Sequence, residues 1–91
     1  MDKVHKLIQQ GAKISNPESV TIGNEVDLQR ISTNGVTLYP GTRIFGEKSY
    51  IGQGAQIGAE GPSTIENCFV GPHVALKGGY FSEAVFLHKA S

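Results

Sequence analysis

The chain has 91 residues, with eight Lys and Arg against eight Asp and Glu, so it forms one small domain without the basic surface that nucleic acids need. Its apolar runs are too short for a membrane span or a signal peptide, and its single cysteine, Cys68, favours a reducing, cytoplasmic location. Ile, Val and Thr number 8, 7 and 5 against five Leu, and Gly numbers 12. This composition favours short strands joined by tight turns over a helical bundle.

The N-terminal segment predicts a short amphipathic helix. Val4, Leu7 and Ile8 fall on one helix face, Asp2 lies near the positive end of the helix dipole, and Gly11 stands where a left-handed C-cap is expected. A helix of two to three turns is marginal alone, so we expect its apolar face to cover the end of a larger structure.

After this segment, an aliphatic residue recurs about every six positions, and a small or β-branched residue stands two positions before it. The ten-residue step between Leu28 and Leu38 predicts a loop over 29–35. The long step between Leu76 and Leu87 is divided by Phe81, which supplies an additional inward position. The pairs are Val20/Ile22, Val26/Leu28, Val36/Leu38, Thr42/Ile44, Ser49/Ile51, Ala55/Ile57, Ser63/Ile65, Cys68/Val70, Val74/Leu76 and Val85/Leu87.

This spacing predicts a three-sided coil of short parallel strands with one hexad per side. Three sides need about 18 residues, so the chain supplies three to four coils. The large member of each pair points into the coil and stacks on its equivalent in the next coil, while the small member fills the corner beside it. We expect these residues to be buried in one core: Ile22, Ile44, Ile51, Ile57, Ile65, Val70 and Leu76.

The repeat resembles the hexapeptide-repeat superfamily, most clearly at residues 22–27 (IGNEVD), 51–56 (IGQGAQ) and 70–75 (VGPHVA). The resemblance implies a left-handed parallel β-helix, an exception to the right-handed crossover rule, and a homotrimer. We then expect a capping helix over 1–11 and a β-helix over 12–91, and we expect this β-helix to be a fragment of a longer repeat domain.

Several strings also resemble bacterial proteins described as UDP-N-acetylglucosamine pyrophosphorylase-related. They are 16–20 (NPESV), 60–62 (EGP) with 64–68 (TIENC), and 76–81 (LKGGYF) with 84–87 (AVFL). This resemblance implies a β-helix module of a sugar-nucleotidyltransferase-like protein that serves assembly and nucleotide-sugar contact. The chain itself holds no complete catalytic site, and we expect it to be inactive alone.

Few residues suggest chemistry. The Gly41-Thr42-Arg43 string resembles the end of a pyrophosphorylase phosphate loop, but its place in the repeat predicts a corner turn instead. His73 is the candidate general base, since acyltransferases with this coil use a histidine in that role, and the turn around it predicts an outward position. Lys77 and Tyr80 are the candidate contacts for a nucleotide sugar.

Two other functions stay open: an acyltransferase-like trimer with His73 as base, and a non-enzymatic scaffold. No second Cys or His stands at metal-ligand spacing, so we expect no metal site and no cofactor. We expect self-association, either as a side-to-side trimer or by end-to-end stacking of an open C-terminal coil at 87–91. We expect no membrane and no nucleic-acid partner.

Overall fold

The computed structural model describes residues 2–87, which begin with helix α1 (Lys3–Gln9). Asp2 is its N-cap, and its carboxylate accepts a hydrogen bond from the His5 backbone N–H at 2.9 Å. At the other end Gly11 adopts a φ of +117°, and its N–H donates to the Ile8 carbonyl at 3.1 Å. This left-handed glycine ends the helix as the sequence predicts.

Eleven short strands follow α1 within the described residues, and every pair of neighbours is parallel. They form three ladders, here named face A (β1-β3-β6-β9), face B (β2-β4-β7-β10) and face C (β5-β8-β11). Their bounds are β1 Lys13–Ile14, β2 Thr21–Ile22, β3 Thr37–Leu38, β4 Thr42–Phe45, β5 Tyr50–Ile51, β6 Gln56–Ile57, β7 Ser63–Glu66, β8 Phe69–Val70, β9 Ala75–Leu76, β10 Gly79–Ser82 and β11 Val85–Phe86.

The chain is therefore a three-sided parallel β-helix of about three turns with one short N-terminal helix, which confirms the predicted fold. Each strand contributes one large inward side chain to a ladder, and Ile31 joins the ladder of face C through an isolated bridge to Ile51. The inward residues form four levels: Ile14, Ile22 and Ile31; Leu38, Ile44 and Ile51; Ile57, Ile65 and Val70; and Leu76, Phe81 and Phe86.

The core residues are most completely buried in the middle levels. Six of the seven residues predicted to be buried have 0–3% of their surface exposed, and only Ile22 is half-buried. Ile22 lies in the first level, where β2 has one strand neighbour, β4, and α1 packs beside it. The predicted corner fillers are buried as well: Val36, Thr42, Ser49, Ala55, Ser63, Cys68 and Val74.

In the first level the observed register differs from the predicted one. Leu28 is the predicted inward residue, but it lies half-buried in a 3-10 helix, Leu28–Arg30. The inward residue is Ile31, which is 3% exposed and bridges to Ile51 on face C. The predicted loop over 29–35 therefore holds only for residues 32–35, which form neither helix nor strand, because residues 29–31 belong to the third side of the first turn.

In the fourth level the predicted inward pair Val85/Leu87 is wrong. Val85 and Leu87 point outward and are 64% and 69% exposed, whereas Ala84 and Phe86 are half-buried against the core. The Phe86 ring meets Phe81 edge-to-face, with ring centroids 5.2 Å apart. The chain makes tighter turns here than six-residue spacing allows, and this shifts the inward position by one residue. The predicted open end at 87–91 falls mainly outside the described residues.

Candidate functional site

The most distinctive surface is the outer side of face C. Arg30, Tyr50, Phe69 and Val85 each stand one position before an inward residue of this ladder, and the strand register places the last three in one column. Three of the four large hydrophobic side chains exposed among the described residues lie on this face. We call the column of Arg30, Tyr50, Phe69 and Val85 the aromatic column.

The aromatic column is ordered by direct contacts. The Tyr50 and Phe69 rings are stacked, with centroids 4.7 Å apart and planes 6° from parallel. The Arg30 guanidinium lies over the other side of Tyr50, 5.9 Å from its centroid, within the range of a cation–π interaction. Arg30 also donates hydrogen bonds from Nε to the Ser49 carbonyl and from Nη2 to the Lys48 carbonyl, both at 3.2 Å. The column is a preformed, rigid stripe.

Beside this column lies a row of face C that contains two glycines. Gly52 and Gly71 follow the inward residues of β5 and β8 directly, and a Cβ atom on either would lie under 3.0 Å from backbone of the next turn. Close approach of the turns therefore explains these two glycines. Leu87 continues the same row and is 69% exposed. Face C thus offers an apolar stripe beside a shallow strip of backbone.

The other two faces are more polar. Face B presents Arg43, Thr64 and Tyr80 in one column. Tyr80, a candidate sugar contact, is 65% exposed, and its hydroxyl donates to Glu66 Oε1 at 2.7 Å. The Glu66 carboxylate stabilises the protonated phenol and so raises the pKa of Tyr80 above its ordinary value. Face A shows Lys13, Thr37, Gln56 and Ala75.

Lys77, the second candidate sugar contact, lies at the corner between faces A and B. Its Nζ is 3.7 Å from Glu60 Oε2, and both side chains are more than half exposed. An exposed pair of this kind contributes little to stability. Lys77 and Tyr80 belong to the same turn, but the structure shows no contact between them.

His73, the candidate general base, is exposed at the corner between faces C and A, as its predicted outward position requires. Its backbone has a φ of +61°, and its imidazole lies over Gly54, where a Cβ atom would stand 2.2 Å from Nδ1. Among the described residues no carboxylate pairs with the His73 ring. The structure therefore brings His73 together with neither Lys77 nor a carboxylate.

The other sequence candidates are structural. Cys68 is buried in the core, and Thr42 of the Gly41-Thr42-Arg43 string is buried with its hydroxyl 2.8 Å from the Tyr39 carbonyl. Gly41 lies in the turn before β4, and Thr42 and Arg43 begin that strand, so the string forms a corner and a strand of the coil and is not followed by a helix. Within residues 2–87 no cluster of His, Cys, Asp or Glu is arranged to hold a metal ion, and no helix is long and apolar enough to cross a membrane.

A groove of about 440 Å³ lies between α1 and β2 at the first turn. Lys3 and Lys6 line it, but the Lys3 ammonium already donates to the backbone carbonyls of Asn24 and Val26. Those bonds tie α1 to the first turn. The groove is open, and its walls are both polar and apolar.

No protein-family model, curated protein or solved structure matches this chain. The resemblance to UDP-N-acetylglucosamine pyrophosphorylase-related proteins thus remains a prediction. Reasoning from the sequence missed the aromatic column, because its members are 16 to 20 residues apart and meet only through strand register. The sequence contains one signal of this column, because each of its members directly precedes an inward aliphatic or aromatic residue of face C.

Proposed function

We propose that the chain is a β-helix assembly module whose face C binds a second copy of the chain. The observation that supports this proposal is the aromatic column, which presents stacked rings and Val85 on one side of the coil, with the exposed Leu87 in the neighbouring row. Exposed apolar surface of this kind is typical of protein interaction sites. Because the rings are held by contacts within the chain, little side-chain entropy is lost on binding.

A second copy fits this surface better than a charged or disordered partner does. Backbone lies beside the column at Gly52 and Gly71, so no side chain at these two positions keeps the apolar column of a second copy away from this one. Four levels spaced at about 4.8 Å give a face roughly 14 Å long, in a molecule of 31 × 24 × 21 Å. An interface of this size lies below the standard class, so we expect a Kd of about 10–1000 μM.

Sedimentation equilibrium from about 10 μM to 1 mM tests the proposal. Phe69→Ser removes one ring of the column and is expected to weaken association at least tenfold. Tyr80→Ser is the matched control, because Tyr80 is also an exposed aromatic strand residue but lies on face B. A wild-type chain that stays monomeric throughout this range contradicts the proposal, as does equal weakening by both variants.

Nucleotide-sugar contact is a second proposal, favoured by the exposed Tyr80 ring and by the Lys77 ammonium in the same turn. An aromatic ring suits stacking on a base or sugar, and an ammonium suits a phosphate. Titration of the chain with UDP-N-acetylglucosamine, followed by amide NMR shifts, is expected to perturb this turn of face B. Shifts that are absent, or that persist unchanged in Tyr80→Ser, contradict this assignment.

A catalytic role of His73 has less support than either proposal. A general base needs a partner that positions its proton, and the described neighbours of His73 supply none. We therefore propose that the chain alone transfers neither an acyl nor a nucleotidyl group.

A further inference from the structure

We infer that Asn34 is a site of spontaneous deamidation, in which the Gly35 backbone nitrogen attacks the Asn34 side-chain amide. Both residues are exposed, in the bend that joins Ile31 on face C to β3. The Asn34 carboxamide makes no hydrogen bond among the described residues, so it is free to turn toward the next backbone nitrogen. Gly35 has no Cβ atom to obstruct that approach. This site does not depend on the pairing of face C proposed above.

The bend is the first of three similar corners between faces C and A. Their left-handed residues are Gly35, Gly54 and His73, with φ of +73°, +71° and +61°. The Gly54 N–H donates to the Asn34 carbonyl, and the His73 N–H donates to the Gln53 carbonyl, both at 2.9 Å. Gly35 lies next to the end of α1, and its N–H makes no hydrogen bond within residues 2–87. The nucleophile that deamidation needs is therefore held by a hydrogen bond at the second corner but not at the first.

The peptide group between Asn34 and Gly35 is also activated for this reaction. Its carbonyl accepts the Gly54 N–H, which draws electron density from the peptide group and makes its own N–H more acidic. The Gly35 nitrogen loses its proton to solvent base and forms a bond to Asn34 Cγ, which closes a five-membered succinimide. The bond from Cγ to the side-chain nitrogen breaks, and that nitrogen takes a proton from water and leaves as ammonia.

Water opens the succinimide at either carbonyl, and the two products differ in their main chain. Addition at the side-chain carbonyl gives aspartate, and addition at the main-chain carbonyl gives isoaspartate, whose main chain contains one more CH2 group. Both products carry a new carboxylate, so the net charge of the chain falls from zero to minus one. Isoaspartate also turns the Asn34 carbonyl that accepts the Gly54 N–H into a free carboxylate, which lengthens the first corner and removes this backbone bond.

The other side-chain amides of this kind are less suited to the reaction. Asn16 precedes a proline, which has no N–H, and Asn24 and Asn67 precede residues whose side chains obstruct the attack. Gln53 precedes a glycine in the same column of corners, but its longer side chain closes a six-membered ring more slowly. Asn34 is therefore expected to react first.

Peptide mapping by mass spectrometry tests the inference on the full chain, kept folded at about 37 °C and about pH 8. We expect a gain of about 1 Da first in the peptide that contains Asn34, at a rate that rises with pH because the Gly35 N–H must lose its proton. Gln53→Asn is the matched variant, since it places a second Asn-Gly pair at a corner whose Gly54 N–H is already bonded. In this folded variant, position 34 should react at least about fivefold faster than position 53, whereas in urea the two should react at similar rates.

Isoaspartate in the product identifies the succinimide route, because direct hydrolysis of the side chain gives aspartate alone. Enzymatic methyl transfer from S-adenosylmethionine detects it, and a product without isoaspartate overturns the role of the Gly35 nitrogen. Two further results overturn the inference. One is that Asn34 keeps its mass in the folded chain while the urea-unfolded chain reacts, and the other is that both positions react equally fast in folded Gln53→Asn.

A second measurement covers the case in which Gln53→Asn fails to fold, as circular dichroism would show. Amide hydrogen exchange in the wild-type chain compares the same two backbone nitrogens without any substitution. The Gly35 N–H should exchange at least about tenfold faster than the Gly54 N–H, because only the latter is bonded to a carbonyl. Equal exchange of the two amides overturns the inference.

Discussion

Replacing Ile57 by alanine measures how much the central ladder stabilises the coil. Ile57 is fully buried on β6, with Leu38 of the preceding turn and Leu76 of the next as its ladder partners. The change removes three buried carbons, at about 0.8 kcal/mol each, and leaves a cavity between two turns that cannot easily close. We expect a loss of about 3–4 kcal/mol in the free energy of unfolding. In a domain of this size, that lowers the Tm by about 12–30 °C.

Ile22→Ala is the matched control, because it makes the same chemical change in a strand at the end of its ladder. Ile22 is half-buried and has one ladder partner, Ile44. Changes in strand propensity are equal in the two variants, so the difference between them isolates burial. We expect Ile22→Ala to cost about half as much or less. Urea denaturation gives both values, and equal losses for the two variants would refute the stacked-ladder account.

Three further changes probe single groups. The buried Ser63 hydroxyl has no hydrogen-bond partner among the described residues, so Ser63→Ala should leave the free energy of unfolding unchanged or raise it by about 1 kcal/mol in urea denaturation. Ser49→Ala is the control and should lower the free energy of unfolding, because it removes a hydrogen bond to the Phe45 carbonyl at 2.6 Å. A clear loss of stability in Ser63→Ala contradicts this prediction. Glu25 accepts a hydrogen bond from the Gly46 N–H at 2.6 Å, which lowers the pKa of Glu25 below its ordinary 4.5. The stabilisation of the fold by the Glu25 carboxylate is therefore complete above that ordinary value and is lost as pH falls through the lowered pKa. The Tm difference between wild type and Glu25→Gln should be present at pH 7 and shrink below about pH 4. A difference that stays constant with pH excludes this hydrogen bond as its cause. His73→Ala should shift the Tm by only a few degrees, because the ring is exposed. His73→Gly should be no less stable than His73→Ala, since glycine adopts the φ of +61° freely. A large loss of stability in both variants would place His73 in the core.

The middle of the coil was predictable from sequence because its turns are regular. From Leu38 to Leu76 the inward residues follow at five to eight positions, and each is aliphatic. A small residue stands two positions before each of them and leaves room in the corner. In such a segment the pattern of large and small residues determines which side chains face inward.

The two ends were less predictable because apolar residues occur on both sides of the strand. In the first level, Leu28 and Ile31 compete for the inward position, and the 3-10 helix between them shifts the chain. In the last level, Val85 and Leu87 alternate with Ala84 and Phe86, so both registers place apolar residues inside. Packing of Phe86 against Phe81 decides between the registers, and a one-dimensional pattern does not contain that contact.

The candidate surface could be predicted only after the register was known. Tyr50 and Phe69 are 19 residues apart, and their stacking depends on the length of the intervening turn. Lys77, Tyr80 and His73 were predicted as surface residues, but the sequence does not show that Lys77 pairs with Glu60 or that Tyr80 donates to Glu66. These contacts depend on which residues occupy the neighbouring turn.

The constant spacing of ladder partners on faces A and C makes the middle of the coil modular. Ladder partners 38, 57 and 76 on face A differ by 19 positions, as do 51 and 70 on face C. A second copy of residues 52–70, inserted after Val70, would therefore add one complete level without changing the register of any ladder. The coil would lengthen by about 4.8 Å, and face C would gain a third stacked ring. Because each turn contacts only its neighbours, the number of turns sets the extent of the aromatic surface independently of the N-terminal cap.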